Sequence, residues 1–207
     1  MPDRSDAEPL DAGEFSAWLR ELDGVLRGEN AADVPCATCN SCCKSSQFIH
    51  IAPDEHRTLA RIPTKLVFPA PGLPKGNVLL GYDQHGHCPM LKNNSCSIYE
   101  DRPRTCRAYD CRVFPATGVT VTDDAKPLIE IQISRWQFSY SDDAARAAHD
   151  ATIRAASFLR NHRYELPRNA VPSNPTQLAA IAIRLRHLFD AGATPSIEQL
   201  KATIGDR

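Results

Sequence analysis

All eight cysteines of this 207-residue chain fall between positions 36 and 111; the 35 residues before and the 96 after contain none. Cysteines used only as small apolar filler would be spread through the core with the other hydrophobes. Segregation of this kind points to one local task shared by Cys36, Cys39, Cys42, Cys43, Cys88, Cys96, Cys106 and Cys111. Eight in 207 is far below the density of a disulfide-framed scaffold. In a reducing compartment such thiols stay reduced, and a local cysteine pattern then reads as metal or redox chemistry.

The rest of the composition is that of a globular protein, 42% apolar and 24% charged, which excludes a disordered or collagen-like chain. No run approaches the roughly 18 apolar residues of a membrane-spanning helix. The opening MPDRSDAEPLDAGEF is acidic and has no apolar centre, so neither a signal nor a transit peptide is expected, and the expected location is cytoplasmic. A formal charge of −1 disfavours nucleic acid and anionic membrane as partners and leaves a protein partner open. That charge is unevenly spread: residues 1–35 carry −6, residues 36–112 carry +4 and residues 113–207 carry +1. The same boundaries mark the expected organisation: an acidic amphipathic helix (1–35), a cysteine-cluster metal-binding region (36–112) and a helical C-terminal region packing on it (113–207). The expected fold class is mainly α, an irregular metal-stabilised cysteine-rich core flanked by helices from both termini.

Periodicity supplies the helices. Phe15, Trp18, Leu19, Leu22, Val25 and Leu26 form an i, i+3, i+4, i+7 stripe, with Asp11 and Glu14 as a capping box and Gly28 as the stop. Asp142–His162 is alanine-rich, with Ser141 expected to cap it. Leu178, Ile181, Leu185, Leu188 and Phe189 share one face behind Pro175, and a last short helix is expected from Pro195. Leu128–Tyr140 fits both periods, and the stripe Ile129, Ile133, Trp136, Tyr140 favours helix. Four prolines make Arg61–Pro74 read as loop.

The densest motif is Cys36-x-x-Cys39-x-x-Cys42-Cys43; on a helix its four side chains would occupy roughly a third of the circumference. Cys88-Pro89, Cys96-Ser97-Ile98-Tyr99-Glu100-Asp101-Arg102-Pro103, Cys106-Arg107 and Cys111 follow. From Cys36 to Cys111 these residues resemble the CxxCxxCC, or YkgJ-like, cysteine cluster family. The resemblance implies a bacterial protein that chelates zinc or iron. Flagellin lysine methylase carries a similar cluster, which would imply a methyl-transferring enzyme; nothing outside the cysteine segment supports that activity.

Close cysteine pairs suit zinc, whereas the triplet Cys36, Cys39, Cys42 with the remote Cys88-Pro89 mimics a bacterial [4Fe–4S] motif, from which the adjacent Cys43 departs. Eight thiolates could also hold two four-cysteine zinc ions or one cluster plus one zinc, and spacing does not settle the choice; an iron–sulfur cluster is slightly favoured over zinc. Thiol–disulfide exchange at Cys36 and Cys39 lacks the preceding strand that such a motif usually has. Arg102 and Arg107, with Arg104 and Arg112, are expected to balance thiolate charge, Arg102 and Arg107 at the cofactor itself. His85 and His87 are alternative ligands but read more simply as polar loop residues. Nucleotide-binding, zincin and serine-hydrolase motifs are missing from the sequence. The leading expectation is a metal-binding protein whose metal at least organises the fold. A metal- or cluster-dependent enzyme and a zinc-braced interaction module are the alternatives.

Overall fold

A computed structural model describes residues 8–32, 34–36, 38–121, 127–168 and 170–205. The acidic opening residues 1–7 lie outside the described residues. Along the chain run β1 (Leu10–Glu14), α1 (Phe15–Leu26), β2 (Ile49–Ile51), α2 (His56–Arg61), β3 (Val67–Pro69) and β4 (Val78–Leu80). Then come β5 (Leu91–Lys92), β6 (Ser95–Cys96), α3 (Arg104–Ala108), α4 (Val113–Thr117) and α5 (Pro127–Arg135). The last elements are β7 (Trp136–Ser139), α6 (Asp143–Asn161), α7 (Pro175–Leu185) and α8 (Ile197–Gly205). The fold is mainly α, with short strands. Among the described residues no helix is long and apolar enough to cross a membrane.

The chain divides into two compact units. One contains Met1–Leu26, Cys111–Thr122 and Ile133–Arg207; the other contains Arg27–Asp110 and Asp123–Gln132. We call them the helical unit and the cysteine unit.

In the helical unit the expected stripe of α1 is buried at Phe15, Trp18, Leu19, Leu22 and Val25. Phe15 stacks on His149 at 4.4 Å and meets Phe138 edge-on at 5.1 Å. The face of α6 is built from Ala145, Ala151, Thr152, Ala155, Ala156 and Leu159, and these mostly small residues let α7 approach closely. Arg186 grips Asp23 with two hydrogen bonds, at 2.7 and 3.2 Å, and Arg184 donates to the Leu26 carbonyl at the open end of α1.

Three local expectations change in this unit. Asp11 and Glu14 form no capping box, because Leu10–Glu14 is a strand; Glu14 alone caps α1, accepting from the amides of Ser16 and Ala17. The helix expected over Leu128–Tyr140 ends at Arg135, and Trp136–Ser139 pairs in parallel with β1. Tertiary pairing overrides the helical stripe there. The cap of α6 is Asp142, whose carboxylate accepts from the Ala145 amide at 2.8 Å, while Ser141 donates to Glu14.

In the cysteine unit β2, β4 and β3 form an antiparallel sheet with β4 in the centre. The expected loop over Arg61–Pro74 is therefore partly strand. Its prolines sit where a missing N–H costs little: Pro63 precedes a 3₁₀ turn, and Pro69 ends the edge strand β3. Ile51, Ile62, Leu80 and Ile98 form the buried core, and Cys88 and Cys96 pack against it.

The two cap assignments for α6 are separable by urea unfolding. Asp142→Ala should cost about 1 kcal/mol, the usual worth of an N-cap, whereas Ser141→Ala should leave the midpoint nearly unchanged.

Candidate metal centre

The cysteine-rich segment is not one helix. Cys36 and Cys39 precede a single 3₁₀ turn, Ser41–Lys44, that carries Cys42 and Cys43. The expectation of four thiols on one helical face is therefore corrected. Ser41 and Ser45 favour local side-chain bonds over a helical ladder. Cys39 donates its thiol hydrogen to Ser41 Oγ at 3.4 Å, and Ser45 donates to the Ser41 carbonyl.

Cys96 closes a tight hairpin, Leu91–Cys96, and Cys88 lies three residues before it. Asn93 and Asn94 lie between β5 and β6, and both have positive φ, 49° and 61°, as a two-residue type I′ connection requires. The seven residues between these cysteines are thus Pro89, Met90 and the hairpin as far as Ser95.

The hairpin is tied to the 3₁₀ turn at both ends. At its base the Cys88 amide donates to the Cys43 carbonyl at 2.7 Å. At its tip the Asn94 carbonyl accepts from Asn40 Nδ2 at 3.1 Å, and Asn94 Oδ1 accepts from Lys44 Nζ at 3.2 Å. Beside the base, the Ser46 amide donates to Gly86. Gly86 has φ +77°, a conformation that L side chains rarely adopt, so the turn favours glycine.

Cys106 arrives on α3. The start of this helix is held by Glu55, whose carboxylate accepts from the Arg104 amide at 2.6 Å, and Thr105 donates to the His50 carbonyl at 2.8 Å. The Ala32 amide donates to the Arg107 carbonyl, joining α3 to the strand of chain that leads to Cys36.

Cys42, Cys43, Cys88, Cys96 and Cys106 are close enough for the charge on one to alter the ionisation of others. Burial and the neighbouring thiolates of Cys42, Cys88 and Cys96 push the Cys106 thiol up to about 12. Cys88 is raised mainly by burial, with Cys96 and Cys42 adding to it. Cys42 and Cys43 behave as one pair: Cys43 donates its thiol hydrogen to Cys42, which lowers Cys42 to about 7 and raises Cys43. No disulfide joins any of the eight cysteines. Among the described residues, no three His, Cys, Asp or Glu side chains already stand in a metal-ligating arrangement.

The remaining candidates have other surroundings. Cys111 belongs to the helical unit, where it is buried and its sulfur accepts from Trp136 Nε1 at 3.1 Å. Arg112, in the same unit, donates to the Ala12 carbonyl. Arg102 lowers the Cys106 thiol slightly against the larger effect of burial; it also lies 4.0 Å over the exposed Tyr99 ring. Arg104 pairs with Asp54 at 2.8 Å, and Arg107 lies 3.9 Å from Glu55, so both arginines face carboxylates. His85 and His87 lie in a loop where both of their own amides donate to Asp83 Oδ1.

Soft sulfur donors gathered on short elements of one unit suit zinc or iron. Residues 35–127 match the CxxCxxCC family, described as a "putative zinc- or iron-chelating domain". The CxxCxxCC segment thus spans the whole cysteine run from Cys36 to Cys111. Comparison with curated proteins and with solved structures gave no match.

The supporting polar residues of this CxxCxxCC segment escape a reading based on cysteine spacing. Asn93-Asn94 between short alternating runs was the available signal for the hairpin. Nothing local marks Glu55, because its partner amide lies 49 residues further along the chain.

Brief iodoacetamide labelling of metal-free protein across pH, read by peptide mass, tests the pairing of Cys42 with Cys43. Only the thiolate reacts, so labelling rises as pH passes the thiol's pKa. Cys42 should show a midpoint near 7, while Cys106 stays protected to about 12. Equal midpoints near the ordinary thiol value would contradict the arrangement.

Proposed function

We propose that the protein binds zinc or iron through the thiolates of its cysteine unit, with Cys42, Cys43, Cys88, Cys96 and Cys106 as the ligand pool. The observation that carries this reading is the meeting of these thiols from three chain segments. The Cys88 amide donates to the Cys43 carbonyl at 2.7 Å, Cys88 and Cys96 pack on one core, and Cys106, raised first by burial, lies near enough for their charge to raise it further. A bound cation would remove the penalty that several half-buried thiolates impose on one another. Cys36 and Cys39, just ahead of the 3₁₀ turn, are the reserve from which a second ion or an iron–sulfur cluster would draw. Arg102 would supply positive charge on the Cys106 side.

When bound, zinc would act as a structural cross-link, and an iron–sulfur cluster would add electron transfer. The chain's own contribution is positional. The Asn94 contacts and the bond from the Cys88 amide to the Cys43 carbonyl hold the hairpin against the 3₁₀ turn, and the hydrophobic core beneath Cys88 and Cys96 limits access of water. Binding would draw the thiols from neighbouring to bonding positions, so metal uptake and ordering of the unit would be one event.

Protein purified without oxygen should carry at least one zinc or iron per chain, and acid-labile sulfide distinguishes a cluster from zinc. Chelation should lower the melting temperature, and Cys88→Ser or Cys106→Ser should reduce the metal content. Absence of stoichiometric metal, together with a melting curve indifferent to chelator, would overturn the reading.

A further inference from the structure

Helix α3 has five residues, far too few to hold together unaided. Its N-cap is Pro103, which offers no side-chain acceptor. The missing cap comes from another part of the chain. Glu55, whose side chain is 3% exposed, accepts from the Arg104 amide through one oxygen at 2.6 Å and from the Ala52 amide through the other at 3.0 Å. The carboxylate therefore links the turn before α2 to the first residue of α3, two positions before Cys106. The other ties in this region are more exposed: Arg104 with Asp54, and Arg57 with Asp101. Such exposed pairs contribute little, whereas a buried carboxylate bonded to two amides is strong and directional.

We propose that Glu55 is a positioning residue for Cys106: by fixing the first turn of α3, it sets the direction in which the Cys106 sulfur faces the other thiols. Its bearing on metal binding rests on the function proposed above; its effect on Cys106 does not.

The test uses full-length, reduced, metal-free protein, iodoacetamide labelling and peptide mapping. Glu55→Ala should change the Cys106 labelling rate by about tenfold, the worth of a hydrogen bond to a charged group. Glu55→Gln, which keeps an acceptor for the Arg104 amide, should recover much of that change. Arg104→Ala retains the amide and should label Cys106 like the parent, and Cys88 and Cys96 should keep their parental rates in all three variants. An unchanged Cys106 rate in the Glu55 variants would overturn the assignment. So would a joint rise of every thiol in the unit, which would make Glu55 a general fold determinant. If Glu55→Ala does not fold by circular dichroism, Glu55→Met, which fills the site but offers the Arg104 amide no carboxylate, decides alone: a selective change at Cys106 supports the proposal, and no change or a general one overturns it.

Zinc competition against a chromophoric chelator then separates the two claims. Parent protein should retain zinc about tenfold better than Glu55→Ala. A parent chain that binds neither zinc nor iron would overturn the metal reading while leaving the labelling result in force.

Discussion

Five neighbouring thiols, four half-buried and Cys42 exposed, cannot all ionise without mutual cost, and the design of the cysteine unit follows from that constraint. Burial raises the thiols of Cys88 and Cys106, the hydrogen bond to Cys42 raises Cys43, and in all three the neighbouring thiolates add to the effect. Cys42 escapes chiefly because Cys43 donates a hydrogen bond to it, with backbone amides adding to the effect. A site in this condition gains from any cation that stabilises thiolate, which is why a soft metal is the natural complement.

Holding the thiols in that condition requires a framework, and each part of it is short. A 3₁₀ turn, a two-residue hairpin and a five-residue helix would not persist separately. They persist through bonds between segments distant in sequence: Cys88 to Cys43, Asn94 to Asn40 and Lys44, and Arg104 to Glu55. Beneath them the Ile51, Ile62, Leu80 and Ile98 core supplies the apolar burial. The helical unit rests on different physics, an aromatic and alanine-lined helix packing closed by Arg186 on Asp23.

The elements legible in the sequence are those whose signal is local and repeated. The stripe from Phe15 to Val25 and the faces of α6 and α7 have helical periodicity and are buried as helices. The cysteine segment was legible as a class through the residues it shares with the CxxCxxCC family. What escaped depends on partners far along the chain. Trp136–Ser139 is a strand because Leu10–Glu14 pairs with it, and LDAGE has weak strand character of its own. The stretch from Cys36 to Cys43 is not one helix: Asn40 bonds to Asn94, 54 residues further along the chain, and Cys39 bonds locally, to Ser41. Glu55 reads in sequence as an ordinary surface acid beside α2 and acquires its role only in the fold.

The most direct measurement of the central claim is X-ray absorption at the metal edge of protein loaded anaerobically with zinc or iron. The account predicts a first shell of sulfur alone, at about 2.3 Å for zinc. A shell dominated by nitrogen or oxygen would contradict it, since that would place the metal away from the thiols of the cysteine unit.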